Sequence, residues 1–253
     1  MIQFKYLILI FLLFSSVFAK EKKVYFYTTE TNISDYKSLK ISFDQYLKYF
    51  GDYNFQAFNN KEIFEDFLQN EDIIVILSSW HYKQIAKKYN LQAKLVALKK
   101  ESITDTKVLV GKKGASFVGT ITTPFPHDYT TAHINRLTTD HSLNVLNVPK
   151  EIDALMSVGF GMSQFALVSK ESFELLQKAN SFLAKQMKVF SESTPTLRML
   201  VALKENKLTN KESIDIFSTM DSKDEGKKVL KMLGVDKIVS LTTNDLQELG
   251  GVR

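Results

Sequence analysis

The chain contains no cysteine among its 253 residues. This absence excludes a disulfide framework, a thiolate metal site, a cysteine nucleophile and lipid attachment through a cysteine. The core of such a protein therefore has to be stable without covalent cross-links.

Familiar catalytic motifs are also missing. The sequence has no G-x-S-x-G turn, no G-x-x-x-x-G-K-[ST] loop and no G-x-G-x-x-G fingerprint. The cluster Gly159-Phe160-Gly161 follows a predicted helix and is better interpreted as a helix stop. His127, His133 and His141 are spaced by six and eight residues, which does not place them on one helix face, and no H-E-x-x-H motif accompanies them. We expect no catalytic residue, no metal and no cofactor.

The chain also lacks a strong excess of charge of either sign. The 33 basic and 28 acidic residues give a formal net charge of +5, and they are mixed along the chain. A nucleic-acid-binding protein typically carries a clustered basic stripe. We therefore expect no nucleic-acid partner and interpret the charge as ordinary solubility.

The N-terminus has the pattern of a secretory signal peptide. One lysine precedes an uncharged run from Tyr6 to Phe18, and Ala19 stands before the charged residues that begin at Lys20. The run is shorter than the roughly 20 residues that span a bilayer, so an uncleaved anchor is the weaker interpretation. Residues 1–19 are predicted to be removed and the product to be free in the periplasm.

From Lys23 onward, short β-rich runs alternate with longer amphipathic runs. Asp72 to Leu77 is a continuous apolar run, typical of a strand that is buried on both faces. Such alternation predicts right-handed βαβ units and a parallel sheet. The two glycines and two lysines of Gly111 to Gly114 interrupt the pattern and predict a crossover or hinge, after which a second α/β series begins. The tail is predicted as three helices over Thr196 to Lys204, Lys211 to Thr219 and Asp224 to Leu233.

The C-terminal third carries a family resemblance. Glu192-Ser193-Thr194-Pro195, Ile216-Phe217 and the stretch from Glu225 to Val235 resemble the phosphonate and phosphate type of periplasmic binding proteins of ABC transporters. The resemblance implies an α/β fold of two Rossmann-like lobes with crossover strands and a hinge, the type II periplasmic binding protein fold, with a ligand cleft between the lobes. Residues 20–111 are then lobe 1, residues 112–190 lobe 2, and residues 191–253 a crossover with C-terminal helices that pack back on lobe 1.

Strand ends in the first lobe supply one half of the predicted ligand site, because ligands of open α/β sheets bind beyond the carboxyl ends of strands. The candidates there are Thr29, Glu30, Tyr36, Ser78, Ser79, Trp80 and Tyr82. Aromatic side chains at a cleft give rigid contact area with a polar tip. Ser34 and Asp35 lie at the same edge, and simple helix capping explains them at least as well as a ligand contact. For the aromatic residues the alternative is packing in the hinge or the core.

The other half of the site follows from the resemblance. The family has a Ser/Thr-rich turn before a helix of the second lobe, which holds an oxyanion with hydroxyls and backbone amides. The matching stretch here is Thr120 to Thr131, with the candidates Thr122, Thr123, His127, Tyr129 and Thr130. The alternative is a turn that only caps the helix, with Asp128 as the capping residue. Glu192 and Ser193 are candidates for accepting a hydrogen bond from a donor group on the ligand. The alternative is that they only cap the next helix.

These observations lead to one functional hypothesis with two alternatives. The protein is expected to capture a small anionic ligand, such as a phosphonate, phosphate or organic anion, as a monomer, and to present the closed form to a membrane permease. A sensor that passes the closed form to a membrane receptor is the alternative, and an exported enzyme is a weaker one. The sequence does not name the ligand.

Overall fold

Apolar runs of the sequence form two β-sheets in the computed structural model of the protein. The structure describes residues 21–30, 33, 35–69, 73–135, 143–204 and 210–250. The predicted signal peptide at residues 1–19, as well as Ser34 and His141, lie outside the described residues. Within the described ranges, no helix is both long enough and apolar enough to cross a bilayer.

The first sheet has six strands in the spatial order β13-β4-β12-β3-β1-β2. Strands β1, β2 and β3 are parallel, and β12 and β13 run antiparallel to their neighbours. We call this sheet and its helices the first lobe. Its strands are β1 (Lys22–Tyr27), β2 (Tyr53–Ala57), β3 (Ile73–Leu77), β4 (Leu91–Leu98), β12 (Leu200–Lys204) and β13 (Lys237–Ser240).

The second sheet has five strands in the order β10-β6-β9-β7-β8 and forms the second lobe with its helices. Its strands are β6 (Lys107–Lys112), β7 (Gly119–Thr123), β8 (Leu143–Asn147), β9 (Phe165–Ser169) and β10 (Met187–Glu192). Because β6 pairs with β9 and β10, the chain has already entered the second sheet at Lys107. The expected lobe boundary at residue 111 therefore falls inside a strand of the second sheet.

Helices cover the faces of both sheets. They are α1 (Tyr36–Leu47), α2 (Lys61–Phe67), α3 (Ser79–Tyr89), α4 (His127–Ile134), α5 (Glu151–Gly159), α6 (Lys170–Ala179), α7 (Ser181–Ala184), α8 (Asn210–Ser218), α9 (Asp224–Leu233) and α10 (Thr243–Glu248). Residues Ile216, Phe217, Val229 and Leu230 of α8 and α9 are buried against α1 and the first sheet. The two tail helices predicted from periodicity are thus confirmed.

The third predicted tail helix is wrong, because Thr196 to Lys204 forms two strands instead, Thr196–Leu197 and Leu200–Lys204. Strand β12 lies between β3 and β4, and its side chains alternate between the two cores on opposite faces of the sheet. Leu200 and Ala202 are buried in one core, and Val201 and Leu203 in the other. A short apolar run fits the pattern of a buried helix as well as that of a buried strand. The segment becomes a strand because it can pair with β3 on one side and β4 on the other.

The lobes are joined by two short strands, β5 (Thr104–Asp105) and β11 (Thr196–Leu197), which pair antiparallel. The crossover predicted near Gly111 is therefore at residues 104–105. Gly114 instead forms a turn with φ of +85° at the far end of β6, a conformation that favours glycine. The chain passes between the two sheets through this pair of strands, which we call the hinge.

Candidate functional site

Two parallel strands of the first lobe end side by side at the cleft. Tyr27 of β1 pairs with Leu77 of β3, so Thr28 and Thr29 leave the sheet next to Ser78 and Ser79. The second lobe approaches this edge with α4. The ring centroids of Trp80 and Tyr129 are 5.3 Å apart, which brings the lobes into contact.

Three buried polar atoms at this edge have no hydrogen-bond partner among the described residues. They are the hydroxyls of Thr29 and Ser78 and the indole nitrogen Nε1 of Trp80. Ser78 is fully buried and Trp80 is 9% exposed. A buried polar group without a partner is destabilising, by roughly 1–3 kcal/mol. Three of them at adjacent strand ends therefore indicate a place where a ligand or ordered water supplies the missing partners.

The start of α3 adds further donors to the same place. Ser78 is the N-cap residue, and its side chain makes no capping hydrogen bond. The first backbone N–H groups of a helix have no partner within the helix, and the helix dipole places partial positive charge there. Together with the indole N–H of Trp80 and the two hydroxyls, this end of α3 is suited to an anion.

A cavity of about 220 Å³ is lined by Trp80 of this cluster, whereas Thr29 and Ser78 lie behind its lining. Its lining brings together four of the predicted residues, Ser79, Trp80, Tyr129 and Ser193, with Lys83, Gln84, Asp128, Ala132, His133, Thr194 and Thr196. The hydroxyl of Ser79 donates to the carbonyl of Leu197, and the Ser193 hydroxyl accepts from the backbone N–H of Lys107 at 2.9 Å. The cavity thus has an aromatic wall and a polar floor fixed by the crossover.

The threonines of the second-lobe turn are buried, and their hydroxyls are used within the lobe. Thr123 donates to the carbonyl of Leu167 at 2.9 Å, and Thr130 donates to the carbonyl of Pro126 at 2.9 Å. Thr122 lies 3.4 Å from the Ser157 hydroxyl. These bonds build the turn and fix the start of α4, where Pro126 is the N-cap residue and Asp128 lies in the first turn.

Four other candidates lie outside this cavity. Tyr82 points to the opposite side of α3, where its hydroxyl donates to the carbonyl of Leu91 at 3.0 Å and accepts from Ala93. Glu192 is exposed and pairs with Lys170 at 3.0 Å. His127 is exposed at the first position of α4, and Tyr36 packs at the margin of the first-lobe core.

A charged cluster next to the hinge contains the predicted residue Glu30 together with Lys107 and Asp105, which the sequence reasoning missed. The ammonium group of Lys107, 1% exposed, lies 2.6 Å from Asp105 and 3.5 Å from Glu30, and also 5.0 Å from the ring centre of Phe125. Glu30 belongs to the first lobe and Phe125 to the second, so this lysine bridges them. The sequence around Lys107 does not indicate this role, because Glu30 and Phe125 come from distant segments of the chain.

Burial and charge shift the pKa values within this cluster. Burial raises the pKa of Glu30 above its ordinary value, against the opposing effect of Lys107. Burial by itself would lower the pKa of Lys107, but the charges of Glu30 and Asp105 outweigh it and raise that pKa. The lysine therefore stays charged and neutralises Glu30, while Asp105 also has the guanidinium of Arg198 at 4.0 Å.

His81 is a second buried titratable group behind the cavity wall. Its Nε2 lies 3.0 Å from a carboxylate oxygen of Glu65, and no described residue bonds to its Nδ1. Its ring stacks on Trp80 with centroids 5.2 Å apart. Burial lowers the pKa of this histidine, so it is neutral near pH 7 and acts as a rigid support for the indole ring.

Acidic residues and histidines do not assemble into a metal site within the described ranges. A second cavity, of about 270 Å³, lies on the hinge side between the lobes and is lined by Glu30, Asp105, Glu151 and Arg198 among others. Glu151 is 4% exposed and accepts from the backbone N–H and the hydroxyl of Ser169, both at 2.6 Å. This carboxylate is thus engaged in holding the start of α6.

The chain matches no protein-family model and no curated protein. Solved structures do match. A binding-protein component of an ABC phosphonate transporter from Pseudomonas aeruginosa is 13% identical, with a TM-score of 0.63 over 91% of this chain and 86% of that one. PhnD1 of Prochlorococcus marinus, in complex with methylphosphonate, is 12% identical, with a TM-score of 0.62 over 90% and 96%.

A Xanthomonas citri protein bound to ATP is 10% identical, with a TM-score of 0.68 over 91% of this chain and 96% of that one. At such identities the likeness concerns the fold. The fold prediction made from the C-terminal motifs is confirmed: this chain has the two-lobed α/β fold of the type II periplasmic binding proteins.

Proposed function

We propose that this protein is an exported solute-binding protein that closes its two lobes on a small anion and catalyses no reaction. The observation that carries the proposal is the set of unpaired buried donors at the end of the first-lobe strands, Thr29, Ser78 and Trp80. The indole N–H can only donate and the two hydroxyls can donate, so the cluster favours a ligand rich in acceptor oxygens, such as a phosphonate, a phosphate or another oxyanion. The fold shared with phosphonate-binding proteins supports the same class.

Contacts between the lobes support closure as the mechanism. Lys61 of α2 pairs with Asp128 of α4 at 3.0 Å, and Trp80 meets Tyr129 across the cleft. A ligand that contacts both lobes stabilises the closed form by the contacts that the open form lacks. The closed form is then recognised by a membrane permease.

A thermal-shift screen of residues 20–253 tests whether an anion binds. The panel contains phosphate, methylphosphonate, sulfonates, carboxylates and aromatic acids. A ligand at 100 times its dissociation constant stabilises the folded protein by about 2.7 kcal/mol. At about 2–4 °C per kcal/mol for a chain of this size, the melting temperature should rise by roughly 5–11 °C. Recovery of the ligand unchanged after incubation would support a role without catalysis.

The single tryptophan gives a second readout, because Trp80 is the only one in the chain and lies in the cleft wall. Its fluorescence should change on ligand addition and give the dissociation constant. Ser78→Ala and Thr29→Val each remove one hydroxyl donor. A hydrogen bond to a charged group contributes about 1.5–3 kcal/mol, so each variant should weaken binding by roughly 10- to 150-fold.

Ser42→Ala is the matched control. Ser42 is 1% exposed in α1, and its hydroxyl also has no partner among the described residues, but it lies in the helix layer behind the sheet. It should leave the dissociation constant unchanged. If Ser78→Ala and Thr29→Val bind the hit as tightly as the Ser42→Ala control does, the site is elsewhere and the proposal fails. An entire panel without a shift argues against a small anion.

A further inference from the structure

The edge of the second sheet opposite the cleft carries lysines and exposed apolar side chains together. Strands β7 and β9 end at the cleft, so their first residues, Gly119 and Phe165, mark the far edge. Three described segments meet there, residues 110–119, 158–165 and 176–190. They contain five lysines, Lys112, Lys113, Lys178, Lys185 and Lys188, and no aspartate or glutamate.

Apolar side chains protrude from the same segments. Phe182 is 77% exposed, Met162 75%, Phe160 69% and Val118 54%. Isolated exposed apolar residues are common on soluble proteins, but several large ones in one area mark an interaction surface. We call the five lysines and these four apolar residues the distal patch.

Contacts between the segments show that the distal patch is continuous. The backbone N–H of Lys113 donates to the carbonyl of Gln186 at 3.0 Å, and Met187 pairs with Lys112 in the sheet. A Cβ on Gly159 would fall 2.6 Å from a methyl carbon of Leu183, so the end of α5 packs directly on α7. Phe160 directly follows Gly159, and Phe182 directly precedes Leu183. The two phenylalanines therefore lie on neighbouring turns of the chain.

None of the five lysines forms an ion pair with another residue in the part of the chain that the structure describes. Four are exposed and Lys112 is half-buried. The ammonium group of Lys188 lies 4.3 Å from the ring centre of Phe190, which holds it at the surface. The charge of the distal patch is thus available to an external partner.

We propose that the distal patch binds the surface of an anionic phospholipid bilayer. Apolar side chains that enter the headgroup region, with lysines around them that contact lipid phosphates, are the combination used by peripheral membrane proteins. Lysine stems also cover apolar surface while the charge stays in water. The cleft would then face away from the membrane, and the protein would move along the bilayer while it binds its solute.

Vesicle co-sedimentation of residues 20–253, which contain both sheets, tests this proposal. Binding is measured on vesicles of phosphatidylcholine with 30% phosphatidylglycerol and on pure phosphatidylcholine vesicles. We expect binding to the anionic vesicles that decreases with salt, and much weaker binding to the neutral ones. Each lysine near the surface contributes about fivefold, so a variant with Lys112, Lys113, Lys185 and Lys188 changed to Gln should bind up to about 600-fold more weakly.

A second variant, Phe160→Ser with Met162→Ser and Phe182→Ser, should lose binding through its apolar contacts. The controls make the same changes elsewhere: Lys37, Lys48, Lys87 and Lys228 to Gln, and Ile41, Tyr49 and Ile63 to Ser. Both controls should keep most of the vesicle binding.

Three results would overturn the proposal: equal losses in the patch and control variants, equal binding to anionic and neutral vesicles, or no binding to either kind of vesicle. The last result would favour an acidic protein partner. Solute affinity, followed by Trp80 fluorescence, should be unaffected by all four variants.

Discussion

Replacing Lys107 with methionine gives a direct test of the charged cluster at the hinge. Methionine reaches as far as Cε, with sulfur in place of one methylene, and lacks the ammonium group, which lies 2.6 Å from Asp105 and 3.5 Å from Glu30. Glu30 then stays largely buried without a counter-charge, and Asp105 keeps only Arg198, whose guanidinium lies 4.0 Å away. Breaking a buried ion pair in this way destabilises a protein by about 3–5 kcal/mol. At about 2–4 °C per kcal/mol, the melting temperature should fall by roughly 6–20 °C.

The matched control is Lys170→Met. Lys170 also makes an ion pair at 3.0 Å, with Glu192, but about half of each side chain is exposed. Exposed pairs contribute about 0–1 kcal/mol, so this variant should melt within a few degrees of the unmodified protein. Urea unfolding and differential scanning calorimetry measure both variants under the same conditions.

The pH dependence distinguishes lost charge from lost packing. The pKa of Glu30 is already raised by burial, and removal of Lys107 should raise it further. The folded state then binds a proton at a pH where the unfolded chain does not, so stability increases as the pH falls through the raised pKa of the folded state toward the ordinary glutamate value. The deficit of Lys107→Met should therefore shrink at acidic pH, and adding Glu30→Gln should recover part of it at pH 8. A deficit no larger than that of Lys170→Met, or one that does not change with pH, would refute the reasoning.

Three further predictions concern local contacts. Gly226→Ala should lower the melting temperature markedly, because the new Cβ would fall 2.1 Å from the carbonyl oxygen of Met220, and Lys228→Ala on the exposed face of the same helix serves as the control. Glu151→Gln should lose about 1.5–3 kcal/mol in urea unfolding, because the carboxylate accepts both the N–H and the hydroxyl of Ser169. Asp128→Asn should weaken solute binding by at most about fivefold at low salt and less at high salt, since its ion pair with Lys61 is partly exposed. The same weakening should occur in the unmodified protein as the pH falls through the depressed pKa of Asp128.

Local patterns in the sequence were sufficient for most of the secondary structure. The apolar run Ile73–Leu77 forms a central strand, and the amphipathic spacing of Asp224 to Leu233 forms a helix on the first-lobe core. Both depend on side-chain periodicity, which is fixed by the neighbouring residues along the chain. The alternation of such elements gave the α/β class, and the C-terminal motifs pointed to the two-lobed fold.

The tertiary structure decided what local patterns leave open. Leu200 to Lys204 is apolar enough for a helix or a strand, and the space between β3 and β4 makes it a strand. Tyr82 and Trp80 are two positions apart on one helix, so they point to different sides, and only the packing of α3 shows that Trp80 is the one in the cleft.

The site itself depends on contacts between distant segments. The hydroxyls of Thr29 and Ser78 come together because β1 and β3 are paired in register, although 48 intervening residues separate them along the sequence. Lys107 acquires Glu30 from the other lobe only when the hinge places the lobes together. By itself the sequence determined which segments form helices and strands and where most strands end; the folded chain determined which strand ends meet, because that depends on the order of strands and not on the order of residues.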